Sequence, residues 1–258
     1  MCYEPQDRPP IPPMAGGSVA GSRLELHGAD GNRYAAYEAR AGTTPAASAM
    51  LILPDVRGLH PFYEELALRF GEAGIDALAI DYFGRTAGTA MRGDDFPHMD
   101  HVAQVSWQGL AADISAGARY LAGPGTPGAG RPLFSIGFCF GGRLSFLCAT
   151  LHEPPFAGVI GFYGWPTGAS RGDVPAPAER AHEMRGALLG IFGGADQGIT
   201  PDIVQAFERE LAHEGVRHEL VTYPGAPHSF FDRKATEFQD ASYDAWHRVL
   251  DFIRQRSA

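Results

Sequence analysis

Apolar residues in this chain fall mostly into short, nearly continuous runs at 49–53, 76–80, 133–136, 158–162 and 187–192. Such runs are too short for helices and lack one-sided alternation, so each predicts a strand buried on both faces. Residues 23–27 and 34–39 flank Asp30-Gly31 and predict two strands joined by a hairpin turn, and 218–223 predicts a last strand. Between the runs the spacing lengthens to a helical period. Leu66, Leu68 and Phe70 mark a helix over 64–73 closed by Gly74, and Val105, Leu110, Ile114 and Ala118 mark another over 102–121. Residues 201–214 begin with a proline suited to a first helical turn, and 238–254 carry Trp246, Val249, Leu250 and Ile253 at docking positions. Residues 91–100, 123–132 and 165–182 are turn-rich or irregular. Alternating strands and helices predict an α/β protein with a mostly parallel sheet of about eight strands and helices on both faces. No insertion is large enough for a cap domain. One domain is expected over residues 22–258, preceded by a Pro/Gly-rich arm over 1–21 that the prolines keep out of helix and paired strand.

The run at 133–136 leads directly into Gly137-Phe138-Cys139-Phe140-Gly141-Gly142, and an apolar stretch, 144–151, follows. Strand, sharp turn and helix around Gly-x-Cys-x-Gly form the pattern of a nucleophile elbow with cysteine at its tip. The flanking glycines let strand and helix approach closely around a residue in strained backbone geometry. The helix start then presents free N–H groups and its positive dipole end to the sulfur, which favours thiolate over thiol. Cysteine between two phenylalanines is also an ordinary buried arrangement, so the motif needs company to carry weight.

Composition narrows the field of partners. With 21 basic and 30 acidic residues the formal charge is −9, which argues against nucleic acid and anionic membrane surfaces. No apolar run approaches the ~18 residues of a membrane span, and the first residues lack the layout of a secretory signal. Three cysteines, Cys2, Cys139 and Cys148, are too few and too odd for a disulfide framework, so a cytoplasmic protein is expected. Cys2 looks incidental and Cys148 buried and inert. His98 and His101 lack the partners of a metal site, and neither a phosphate-cradling loop nor a dinucleotide fingerprint is present, so neither metal nor cofactor is expected.

The elbow finds its company further along. Asp196 follows Gly193-Gly194-Ala195 after one predicted strand, and His228 sits in a loop after the last one. Working residues of open α/β sheets lie in such loops. The order nucleophile, acid, histidine is that of the α/β-hydrolase fold.

With these residues the chain resembles the dienelactone hydrolase family (carboxymethylenebutenolidase-like). The resemblance rests on the cysteine elbow, the Gly-Gly-Ala-Asp196 turn, Pro227-His228-Ser229-Phe230 and Asp81-Tyr82-Phe83-Gly84-Arg85. It implies Cys139 as nucleophile, His228 as general base and later acid, and Asp196 as its orienting partner. It further implies an oxyanion hole from the backbone N–H groups of Val56 and Phe140. Asp55 stands where the family places a glutamate that pairs with the resting thiol. Arg57, Tyr82, Arg85, Trp165 and Phe230 would border the substrate; the position after the histidine where relatives acting on dienelactones keep an arginine is Asp232, with Arg233 beside it. The implied activity is cofactor-independent hydrolysis of a small lactone or activated ester, by a monomer or homodimer. A broad carboxylesterase of the same fold is the alternative within enzymes; a thiol sensor or binding protein is the alternative outside them.

Overall fold

The computed structural model describes residues 8–13, 19–42, 46–93, 95–170 and 172–257. They form eight strands, β1 (Ala20–His27), β2 (Arg33–Arg40), β3 (Ser48–Leu53), β4 (Ile75–Ile80), β5 (Leu133–Phe138), β6 (Gly158–Phe162), β7 (Ala187–Gly193) and β8 (Arg217–Tyr223). The helices are α1 (Pro61–Glu72), α2 (Gly84–Ala87), α3 (His98–Val102), α4 (Trp107–Ala122), α5 (Phe140–Cys148), α6 (Pro201–His213) and α7 (Gln239–Arg254). The strands make one sheet in the order β1-β2-β4-β3-β5-β6-β7-β8. β1 pairs antiparallel with β2 and β2 antiparallel with β4; every pairing from β4 to β8 is parallel.

The central strands are buried along their whole length, as their unbroken apolar runs require. Alternation along β5 sorts the two faces. Phe134 packs on Phe252 of α7, and Phe138 packs on Phe62 and Tyr63 of α1. Between them Ser135 points the other way and shares a 2.8 Å hydrogen bond with Ser145 of α5. Ser135 is in register with Leu51 of β3, which is in register with Leu78 of β4. Both leucines lie against Gly117 of α4, so α4 and α5 cover one face while α1 and α7 cover the other. α1 and α7 meet through Phe70 and Trp246, 4.9 Å between ring centres.

Several boundaries differ from expectation. The helix expected over 102–121 begins five residues later, as α4 at Trp107, and the short α3 lies mostly in the stretch 91–100 expected to be turn-rich. Ser106 caps α4 by accepting from the Gly109 N–H, and Trp107 N–H donates to Asp173 O at 2.6 Å. A side-chain cap and a bond to a residue distant in the chain together fix where α4 starts. α1 begins at Pro61, three residues earlier than expected, with proline in its first turn. α5 begins at Phe140, directly after the elbow. Ala20 and Gly21, assigned above to the unpaired arm, pair with Arg40 and Ala39. Further back, Ile11 is buried and Arg8 forms an ion pair with Glu65 of α1, so this part of the arm lies on the domain. Cys2 lies outside the described residues. No helix among the described residues is long and apolar enough to cross a membrane.

Candidate active site

The turn after β5 is as tight as its glycines require. A Cβ on Gly137 would collide with Gly141 O, and one on Gly141 with the carbonyls of Leu53 and Pro54. That contact sets the elbow directly against the loop after β3, because Gly137 is in register with Leu53. Cys139 at the tip has φ 55 and ψ −113. Tyr163 (φ 37) and Ser229 (φ 64) are the other non-glycine residues with positive φ among those described. Strain of this kind costs about 1–3 kcal/mol per residue and persists where the surroundings over-determine it. Cys139 and Ser229 line one cavity, and the Tyr163 ring is 4.9 Å from that of His228, so the strain is concentrated at one place.

The cavity, about 410 Å³, opens at the carboxyl ends of the central strands. Cys139, Phe140 and Arg143 come from the elbow and α5, Val56 from the loop after β3, and His228 and Ser229 from the loop after β8. Trp165, Ala169 and Ser170 form one wall, and His98 and Met99 of α3 another.

The turn after β7 brings acid and histidine together. Gly194 N–H donates to Tyr223 O and Ala195 N–H to Ala226 O, which ties the acid's turn to the histidine's loop. His228 Nδ1 then lies 2.6 Å from Asp196 Oδ2, while Asp196 Oδ1 accepts from the N–H groups of Gly198 and Ile199. Burial works to raise the Asp196 carboxyl, but its bond to His228 and the two N–H donors outweigh it and hold it below its usual range. His228 itself lines the cavity together with Cys139. The ring itself is gripped between Tyr163 and Trp165, the latter at 5.0 Å.

Val56 and Phe140 both reach the cavity, and neither backbone N–H has an acceptor among the described residues. The loop that carries Val56 is held from behind: Tyr82 Oη donates to the carbonyls of Pro54 and Asp55, and Asp55 N–H donates to Tyr63 Oη at 3.0 Å. Asp55 is fully buried and its Oδ1 accepts from Arg57 N–H at 2.8 Å.

Four of the expected substrate contacts lie elsewhere. Arg85 is outside the cavity lining and binds Asp30, the buried Asp113 and Gly109 O. Those carboxylates come from the hairpin turn and α4, which no local motif around Arg85 reveals. Tyr82 stands behind the loop that carries Val56. Phe230 is fully buried among Phe162, Tyr163 and Tyr223. Arg57 is buried outside the cavity lining. Of the five, Trp165 alone is in the lining.

The sequence pattern did not single out Arg143, Met99, Ala169, Ser170 or Ser229 for this cavity. Arg143 had a signal, a charged residue between the elbow glycines and the apolar stretch that follows them. His98 was weighed only for metal binding; its neighbour His101 turns away to Thr86 Oγ1 and stacks on Phe96. Asp232 is buried and accepts from Tyr163 Oη at 2.7 Å. Cys148 is fully buried, and burial pushes its thiol up to about 12.

The model of the family described as "Dienelactone hydrolase family" matches residues 35–257. A protein of Methylorubrum extorquens named "Putative carboxymethylenebutenolidase" is 28% identical over 225 residues, 86% of this chain and 76% of that one. Among solved structures, the "Putative Dienelactone Hydrolase" of Klebsiella pneumoniae superposes with a TM-score of 0.78 at 24% identity, covering 92% of this chain and 99% of the other. A Pyrococcus furiosus esterase superposes with a TM-score of 0.71 at 14% identity over 99% of this chain and all of its own. At such identities the structural matches speak for the fold, that of α/β-hydrolases.

Proposed function

The chain belongs to the dienelactone hydrolase family, and we propose that it hydrolyses small lactones or activated esters through a thioester on Cys139. The observation that carries this is the meeting, in one cavity, of a strained elbow cysteine and a histidine whose far nitrogen is bound to a buried aspartate. A histidine so held has one fixed tautomer and one reactive nitrogen.

In the proposed reaction His228 Nε2 accepts the Cys139 proton as the sulfur bonds to the substrate carbonyl carbon. The carbonyl oxygen becomes an oxyanion facing the Val56 and Phe140 N–H groups, each worth about 3 kcal/mol of barrier in comparable sites. Collapse breaks the C–O bond. The leaving oxygen takes the proton from His228, either as the bond breaks or, where it departs as a stabilised enolate, directly afterwards, so that the imidazole is neutral again. Water then gives a proton to His228 and attacks the thioester; the acid leaves and the proton returns to the sulfur. Asp55 would assist the resting thiol, as the family resemblance implies. A leaving group that departs with little protonation suits a Cys–His pair, so amides should turn over far more slowly than matched esters.

The test compares p-nitrophenyl acetate and a cis-dienelactone with the parent protein, Cys139→Ala and Cys139→Ser. The proposal expects turnover that disappears in the alanine variant, with a covalent acyl adduct on Cys139 when the reaction is quenched. The ratio of the two substrates separates a lactonase from a general esterase. Turnover of neither, or full activity of Cys139→Ala, would reject the proposal.

A further inference from the structure

Arg143 lies one turn into α5, its own N–H bonded to Cys139 O at 3.2 Å, and only 2% of it is exposed. A buried cation normally faces a carboxylate. Among the described residues none is within ion-pairing distance of Arg143. Its guanidinium is instead occupied by backbone carbonyls. Nε donates to Pro175 O at 3.1 Å, Nη1 to Trp165 O and Thr167 O at 3.2 and 3.4 Å, and Nη2 to Gly168 O and Val174 O at 2.9 and 3.1 Å. Burial brings its pKa down to about 10, so the group remains charged at neutral pH.

All five acceptors belong to the irregular stretch between β6 and β7, within residues 165–170 and 172–175, which carries Trp165 into the cavity wall. A segment without regular structure cannot satisfy its own carbonyls; here one planar fork on the nucleophile helix satisfies five of them. The Trp165 ring in turn rests on the His228 imidazole. The chain of contacts therefore runs from the helix that presents Cys139, through the wall, to the ring that must exchange protons with that sulfur.

We propose that Arg143 is a positioning residue for the hydrolysis, a buckle that ties the wall carrying Trp165, Thr167, Gly168, Val174 and Pro175 to the nucleophile helix and so holds Trp165 against His228. This inference rests on the reading of Cys139 and His228 given above. Because all five N–H groups are spent on the wall, Arg143 acts through Trp165 rather than by gripping substrate. Deacylation, in which His228 must aim a water molecule, is the step most exposed to a loosened ring. Misplacements of about 1 Å cost on the order of 10²-fold in such geometries.

The experiment follows pre-steady-state hydrolysis of p-nitrophenyl acetate by the parent, Arg143→Lys, Trp165→Ala and the double variant, with thermal melts of each. Lysine keeps the charge but has three donors on a single nitrogen, so it should not rescue. Expected are a burst of nitrophenol near one equivalent per folded chain, steady-state turnover lowered about tenfold or more in each single variant, and a double variant no slower than the worse single one. A burst per folded chain that falls in step with turnover would overturn the proposal. So would full turnover in Arg143→Lys or losses that multiply in the double variant. Should Arg143→Lys fail to fold, Trp165→Ala still decides, since unchanged turnover there overturns the proposal. Absence of turnover in the parent would instead reject the hydrolase reading itself.

Discussion

The phenol of Tyr163 donates a 2.7 Å hydrogen bond to Asp232 Oδ2, and the ring that carries it stands 4.9 Å from the His228 imidazole. The catalytic histidine proposed here is thus backed by a tyrosine anchored on a buried carboxyl. Burial pushes that carboxyl well above the usual range, with the bond from Tyr163 opposing and the nearby charge of Asp55 adding to the rise.

Asp232 should therefore hold a proton in the native state that the unfolded chain has released above about pH 3.8. Its contribution to stability is fully present below that unfolded value and is lost as pH rises through the folded one. Asp232→Asn cannot ionise. Its melting temperature should fall less than that of the parent between pH 5 and 9. Parallel melting curves across that range would contradict a proton on Asp232.

Asp196 has the opposite sign. Its carboxyl is held below the ordinary value, so the stability of the Asp196–His228 pair is present above the unfolded value near 3.8 and lost as pH falls through the folded one. Asp196→Asn should lose this acid-side dependence. It should also lower kcat by about 10²–10⁴-fold, because the amide no longer selects the Nδ1–H tautomer. Steady-state kinetics and melts between pH 3 and 8 check both.

Tyr82→Phe removes the hydroxyl that grips the Pro54 and Asp55 carbonyls and leaves the ring in place. Loss of that shared donor, about 1–1.5 kcal/mol, behind the loop proposed to form the oxyanion hole should lower kcat about tenfold with little change in KM. If KM rises and kcat holds, Tyr82 touches substrate after all.

Arg85→Ala should act on stability rather than on substrate. It leaves Asp113, 1% exposed, with Asn32 as its remaining side-chain partner. Breaking such a pair, here partly open to solvent on the arginine side, should cost about 1–3 kcal/mol. Urea unfolding measures the loss; KM for an anionic lactone should stay within twofold of the parent. A large rise in KM at unchanged stability would return Arg85 to the substrate site.

Much of the architecture is legible in one dimension. Buried parallel strands need apolar side chains on both faces, so 49–53 and 158–162 could be read almost to the residue. Helix starts were less visible because they depend on partners elsewhere: the start of α4 is fixed by Ser106 together with Asp173. The elbow glycines declared themselves because only glycine fits where strand, helix and the β3 loop meet.

By itself, then, the sequence determined the sheet, the elbow and the order of Cys139, Asp196 and His228, since these follow from local periodicity, turn chemistry and chain order. Tertiary structure alone decided which side chains face the cavity. Arg57, Arg85, Tyr82 and Phe230 have the chemistry of substrate contacts, yet packing pairs Arg85 with Asp30 and Asp113 and puts Tyr82 behind a loop. Arg143 has no partner nearby in the chain that would explain a charge at the start of an apolar helix, and becomes intelligible through five carbonyls from residues 22 to 32 positions away. A side chain's direction is set by whichever partner satisfies its polar atoms, and that partner is chosen in space rather than along the chain.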